Sequence, residues 1–268
     1  MFADKLLITI GLLRPVRRRA FCPACKGWLG SDDRTMSPRE IAPPALAAGV
    51  VLIFAAIAWI LVIYHSMSMG DMEMGVGSPG SFAVGWLIMM AAMMLPTALP
   101  LVFEFVHHSE RRAGWQVATG LLIATYLVVW LAFGLAAYIL CSALGMPWAN
   151  QRLIGGASLV LAGTYALTPF KRSSDARCRE LCALHGPLPF NLQRSAILTG
   201  ARYGVSCVGS SAALMVAMVL IGMSKLGWMV LVSVLVLLYK LAPVDGIWQR
   251  TALSAAVAAS GVLYALGG

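Results

Sequence analysis

Apolar residues run through this chain in seven blocks, at about 42–64, 82–106, 115–140, 152–170, 203–223, 227–243 and 251–266. Each approaches the roughly 20 residues that an α-helix needs to cross about 30 Å of hydrocarbon. None alternates with period two and none is bracketed by hairpin signals, which argues against strands. A backbone in lipid must satisfy its own hydrogen bonds, so the pattern predicts an all-α fold, a polytopic transmembrane helical bundle of about seven spans. The fourth and seventh blocks are short and rich in Gly and Ala, which leaves six spans as the alternative.

Composition supports the same class. Hydrophobic residues make up 60% of the 268 and charged residues only 12%, too few charges to cover a soluble domain of this size. The net charge of +9 raises the question of nucleic acid, and the distribution of the charges answers it. With the amino end inside, Lys5 to Arg39, Arg111 and Arg112, Lys171 to Arg202, and Lys240 with Arg250 all fall on one side of the bundle; only Arg152 and Lys225 fall on the other. This positive-inside bias predicts the amino terminus inside and the carboxyl terminus outside, and it accounts for the charges without a nucleic-acid partner. The expected location is the bacterial inner membrane, crossed several times, with the lipid bilayer as the first partner.

The expected organisation is a basic cytoplasmic segment, 1–40, followed by a transmembrane domain, 41–268, with an outer methionine-rich loop at 65–81 and an inner cysteine-containing loop at 171–201. Residues 1–35 differ in character from the rest, and Met36-Ser37-Pro38-Arg39-Glu40 resembles a natural beginning. The first 35 residues therefore read as an appendage or as sequence upstream of the true start. No cleavable signal peptide is evident, because the run Leu6–Leu13 is too short and its main charge cluster follows it.

The candidate chemistry is sulfur. His65, Met67, Met69, Met72 and Met74 crowd the outer loop with Asp71 and Glu73 among them. Thioether is a soft donor that suits cuprous copper and does little for hard cations, so this loop reads as a capture site for copper. In the second block Met89, Met90, Met93 and Met94 occupy an arc of about 140° on one side of a helix, and Pro96 and Pro100 are positioned to kink it. Packing by a flexible side chain is the alternative reading of these methionines. In the inner loop Cys178, Cys182 and His185 share one face if the segment is helical, as a thiolate–imidazole set for a metal would require, and Cys22-Pro23-Ala24-Cys25 lies on the same expected side. Cys207 and Met215 in the fifth block face the second-block methionines on the functional reading, whereas the small residues around them serve close helix packing on the other. The chain contains no Ser-His-Asp set, phosphate-binding glycine loop, haem-binding C-x-x-C-H or H-E-x-x-H. It is therefore not expected to be an enzyme, with thiol–redox chemistry at Cys178 and Cys182 as the enzymatic alternative.

Four stretches resemble a known family, the predicted metal-binding integral membrane proteins of domain-of-unknown-function family 2182. They are Trp86-x2-Met89-x2-Ala92-Met93-Met94-x-Pro96; Tyr165-x3-Pro169-x-Lys171; the Cys178-Arg179 pair; and Gly200-x2-Tyr203-Gly204-x2-Cys207-x-Gly209, continuing to Leu214-Met215, Gly222-Met223 and Trp228-Met229. The resemblance covers nearly everything after residue 40 and implies a metal-binding membrane fold. It also marks the chain as divergent. Ser210, Ser211 and Ala212 stand where members carry two cysteines and a tryptophan, Ser174 replaces a cysteine, and Tyr239 replaces a glutamate. The soft donors that the resemblance leaves in place are Met89, Met93, Met94, Cys178 and Cys207, with Cys182 as a local substitute.

The expected function is soft-metal binding, relay or transport, most simply of copper, with a metallochaperone or other membrane-complex subunits as partners. The alternative is a non-catalytic structural or assembly subunit of a membrane complex, motivated by the two serines.

Overall fold

The computed structural model describes residues 38–68, 78–145, 150–182, 191–221, 226–241 and 247–266. Every element among them is an α-helix. In chain order these are α1 (Pro38–Ser68), α2 (Pro79–Ser109), α3 (Trp115–Ala143), α4 (Gln151–Tyr165), α5 (Pro169–Cys182), α6 (Leu192–Ile221), α7 (Leu226–Leu241) and α8 (Ile247–Leu266). Each apolar block coincides with one of them or with a pair, so the all-helical class read from the pattern holds. Among the described residues 4 helices are long and apolar enough to cross a membrane (α1 from Pro43, α2, α3 and α6), and α4 with α5 qualifies as one bent pair.

That bent pair departs from the reading of 152–170 as one span. The helix stops at Tyr165, turns by 68° and resumes at Pro169. The cause is local. Proline disfavours helical backbone in the residue before it, and its missing N–H is harmless in a first helical turn. Thr168 then caps the new helix, its Oγ1 accepting from the Lys171 amide at 3.4 Å, as N-cap hydroxyls do. The segment 171–201, expected as a loop, is helical through Cys182, and α6 begins about three turns earlier than the fifth apolar block.

Helix α6 is the axis of the bundle and packs against α3, α4, α5 and α7, while α2 packs against α1 and α3 and touches α5 and α7. Helix α1 buries a narrow stripe that includes Pro44, Val51, Ala55 and Ala58, and exposes Leu52, Ile53, Phe54, Ile57 and Ile60. Helices α4 and α8 meet through small residues, the most extensive contact of the fold along with α1 on α2. A Cβ on Gly156 would lie 2.6 Å from the Gly261 carbonyl oxygen, and one on Gly261 would lie 2.6 Å from that of Gly156. Close approach of this kind is what holds helices together where lipid removes the hydrophobic drive. The main core cluster joins α2, α3, α5 and α6, with contributions from α1 and α7.

Candidate functional site

Helix α2 runs unbroken from Pro79 to Ser109, through Pro96 and Pro100. Its entry is fixed by Ser78, whose Oγ accepts from the Ser81 amide. Buried between α1 and α3, it hides Met89, Met90, Met93 and Met94 almost completely, at 3%, 0%, 1% and 0% exposure. The sulfur-bearing face therefore points into the protein. Trp86, one turn above, closes this face against α3, its Nε1 donating to the Trp130 carbonyl at 2.9 Å.

Across from the methionines, α3 and α6 contribute two tyrosines and a thiol. The Tyr126 hydroxyl lies 3.3 Å from Cys207 Sγ and 3.3 Å from the Met94 carbonyl oxygen. Tyr203 donates to the Thr97 carbonyl at 2.9 Å, and the two tyrosine rings are 5.6 Å apart. Cys207 is fully buried. A phenol in an apolar helix needs a partner for its hydroxyl, so these tyrosines fix α2, α3 and α6 in register around the thiol. Ser211 donates to the Cys207 carbonyl at 2.8 Å, and Ser210 is buried beside it; neither is a soft donor.

Cys178 and Cys182 do not sit in an exposed inner loop. They are 8% and 7% exposed and belong to the same core cluster as the α2 methionines and Cys207. The geometry of α5 explains this. Lys171, Ser174, Cys178 and Cys182 recur at helical spacing on one buried face, and that face lies along α6. The Tyr165 hydroxyl donates to the Gly209 carbonyl, and a Cβ on Gly209 would come within 2.7 Å of Ser174 Oγ, so glycine gives α5 room to approach here. Lys171 pairs with Asp175 at 3.2 Å, both largely buried. Tyr203 lies in the same buried core cluster as Cys178, Cys182 and Cys207, with its ring 5.6 Å from that of Tyr126. None of Cys141, Cys178, Cys182 and Cys207 is in a disulfide.

Other expected site residues fall outside what the structure describes. Met69, Met72, Met74 and His185 lie outside the described residues, as do Cys22 and Cys25. His65 and Met67 fall in the last turns of α1, and their side chains are outside what is described. Among the described residues no three of His, Cys, Asp and Glu come together as a metal-holding group. The donors gathered in the core are therefore thioether and thiol, a set that suits cuprous copper rather than a hard divalent cation.

A family model described as "Copper chaperone" (PpoB2) matches residues 83–264. The chain belongs to this copper chaperone family. The matched span takes in Met89, Met93, Met94, Cys178, Cys182 and Cys207, whereas the methionine-rich segment 65–74 precedes it. No curated protein and no solved structure gives a match. Family membership thus establishes a copper-related function and agrees with the soft-donor chemistry of the core.

Sequence reasoning passed over several residues of this site. Tyr126, Tyr203 and Trp130 carry polar atoms inside apolar blocks, and that incongruity was the available signal. Met218, buried on α6, follows the already expected Met215 by three residues, a spacing visible in the sequence.

Proposed function

We propose that this chain is a polytopic membrane protein that binds a cuprous ion within its helix bundle and relays it. Met89, Met93, Met94 and Cys207 form the inner site, and Met67, Met69, Met72, Met74 and His65 capture the ion at one end. The observation that carries the reading is the burial of the α2 methionines in one cluster with Cys207, joined through the Tyr126 hydroxyl. Membership of a copper chaperone family supports the choice of metal.

Placement in a bilayer rests on the long apolar helices and on the apolar face that α1 exposes, which suits lipid and not water. The positive-inside charge pattern supports seven spans with the amino terminus inside, in the bacterial inner membrane. The resemblance to family 2182 in the stretches around Met93 and Cys207 supports the same architecture.

The experiment is copper analysis of the purified protein beside a Met93→Leu, Met94→Leu variant. The reading expects copper in the wild type and a marked loss in the variant. Equal copper in both removes these residues as ligands. A wild type without copper but with a stoichiometric membrane partner supports the scaffold reading, which the replacement of soft donors by Ser210 and Ser211 favours.

A further inference from the structure

We propose that Cys207 is the exchange point at which the ion passes from the thioether face of α2 to the thiol pair of α5, Cys178 and Cys182. The inference rests on the copper reading above and adds an order to its donors.

The order comes from three relationships. First, the Tyr126 hydroxyl touches both Cys207 Sγ and the Met94 carbonyl, so the thiol lies at the level of the last α2 methionines. Second, α5 packs along α6. Ser174 meets Gly209, two residues from Cys207, and Cys178 and Cys182 follow Ser174 on the same buried stripe, in one core cluster with Cys207 and Tyr203. Tyr203 in turn bonds Thr97, nearly one turn beyond Met94 on α2. The sulfurs thus form one buried series, with the α2 methionines and Cys207 meeting at the Tyr126 hydroxyl and the α5 pair in the same core cluster. Third, the donors of the cluster differ in kind, thioethers on α2 and thiols on α6 and α5, and a soft ion moves from a neutral thioether to a stronger anionic thiolate.

The chemistry is ligand exchange without change of copper oxidation state. When the ion leaves a thioether for Cys207, an Sγ–Cu bond replaces the Sγ–H bond and the proton goes to water. When an α5 thiol takes the ion, that thiol gives up its proton and Cys207 regains one. One proton is released overall for each ion transferred. The driving force is the replacement of a neutral thioether by an anionic thiolate, the stronger soft ligand. Ser210 and Ser211, beside Cys207, offer no competing soft donor, which leaves a single stepping point.

The test reconstitutes the full chain in liposomes that enclose bathocuproine disulfonate, a membrane-impermeant cuprous chelator, and supplies Cu(I) outside under ascorbate. The colour of the enclosed complex gives the delivery rate per reconstituted copy. Cys207→Ala is expected to slow delivery by roughly tenfold or more, and the Cys178→Ser, Cys182→Ser double variant to slow it likewise. Cys207→Met keeps a soft donor at the same place and is expected to restore part of the rate, which a merely structural role for the thiol would not do. Delivery by Cys207→Ala at the wild-type rate overturns the inference, as does a wild type that binds copper yet delivers none. If Cys207→Ala does not fold, Cys207→Met against the α5 double variant decides in the same way. A wild type that binds no copper overturns the copper reading itself, a result distinct from all of these.

Discussion

The Tyr126 hydroxyl bridges Cys207 Sγ on α6 and the Met94 carbonyl on α2, at 3.3 Å from each. With the phenol donating to the carbonyl, its oxygen is left to accept from the thiol, so one residue of α3 orients the sulfur against the methionine face. Removing the hydroxyl takes away these contacts and leaves the aromatic packing with Tyr203 in place. Tyr126→Phe is expected to keep the fold and to cost about 1 kcal/mol, the usual net worth of a buried hydrogen bond. Denaturant unfolding in detergent reads that loss, and the infrared S–H stretch of Cys207 shifts with it. An unchanged S–H stretch would show that the phenol does not position the thiol.

Gly134 lies under the Trp86 ring, where an added Cβ would fall inside the indole. Trp86 cannot move aside freely, because it is fully buried and its Nε1 is bonded to the Trp130 carbonyl. Gly134→Ala is expected to destabilise by about 1–3 kcal/mol, the range for overpacking a tight core. Gly120 on the same helix has nothing within 4 Å of its added Cβ, so Gly120→Ala is expected to be neutral or stabilising by up to about 1 kcal/mol from helix propensity. Thermal unfolding of the two variants side by side checks the contrast. Equal effects would mean that the indole is not packed on Gly134.

What could be read beforehand follows from where the information lies. Seven apolar blocks were legible because lipid-compatible helices need unbroken runs, and α1, α2 and α3 appear where the runs do. The sulfur face of α2 was legible because helical periodicity puts Met89, Met90, Met93 and Met94 on one side. The break at 166–168 was signalled only by Pro169, inside a run that remained apolar on both sides. The burial of α5 was not legible, because its sequence is charged overall; only one stripe, with Cys178 and Cys182 in it, faces α6. The packing of α5 on α6 brings Ser174 against Gly209, a tertiary contact that local pattern does not encode.

Lys171 and Asp175 form a largely buried ion pair at 3.2 Å on the face of α5 that holds the two cysteines. Taking away one partner removes the closest opposite charge from the other in a poorly solvated place, at a cost of up to about 3–5 kcal/mol in comparable pairs. Lys171→Met is therefore expected to destabilise strongly, and Lys171→Met with Asp175→Leu to recover much of the loss, since both charges then disappear together. Such non-additivity is the mark of a direct pair. A double variant as unstable as the sum of the singles would mean that each charge is held by other groups.

Copper itself supplies the last prediction. A ligand that binds only the folded state stabilises it by mass action, by about 2.7 kcal/mol when free ligand stands at 100 times its dissociation constant. The core donors span α2 and α6, so an ion shared between them ties the helices whose separation unfolding requires. Cu(I), or Ag(I) as a redox-inert soft cation, is expected to raise the unfolding temperature of the wild type, while Zn(II) and Mg(II) leave it unchanged because thioethers hold them poorly. Met93→Leu with Met94→Leu preserves side-chain volume closely and should cost under about 1.5 kcal/mol each without metal, yet it is expected to abolish most of the copper-dependent rise. A variant that keeps the full rise would move the bound ion away from α2.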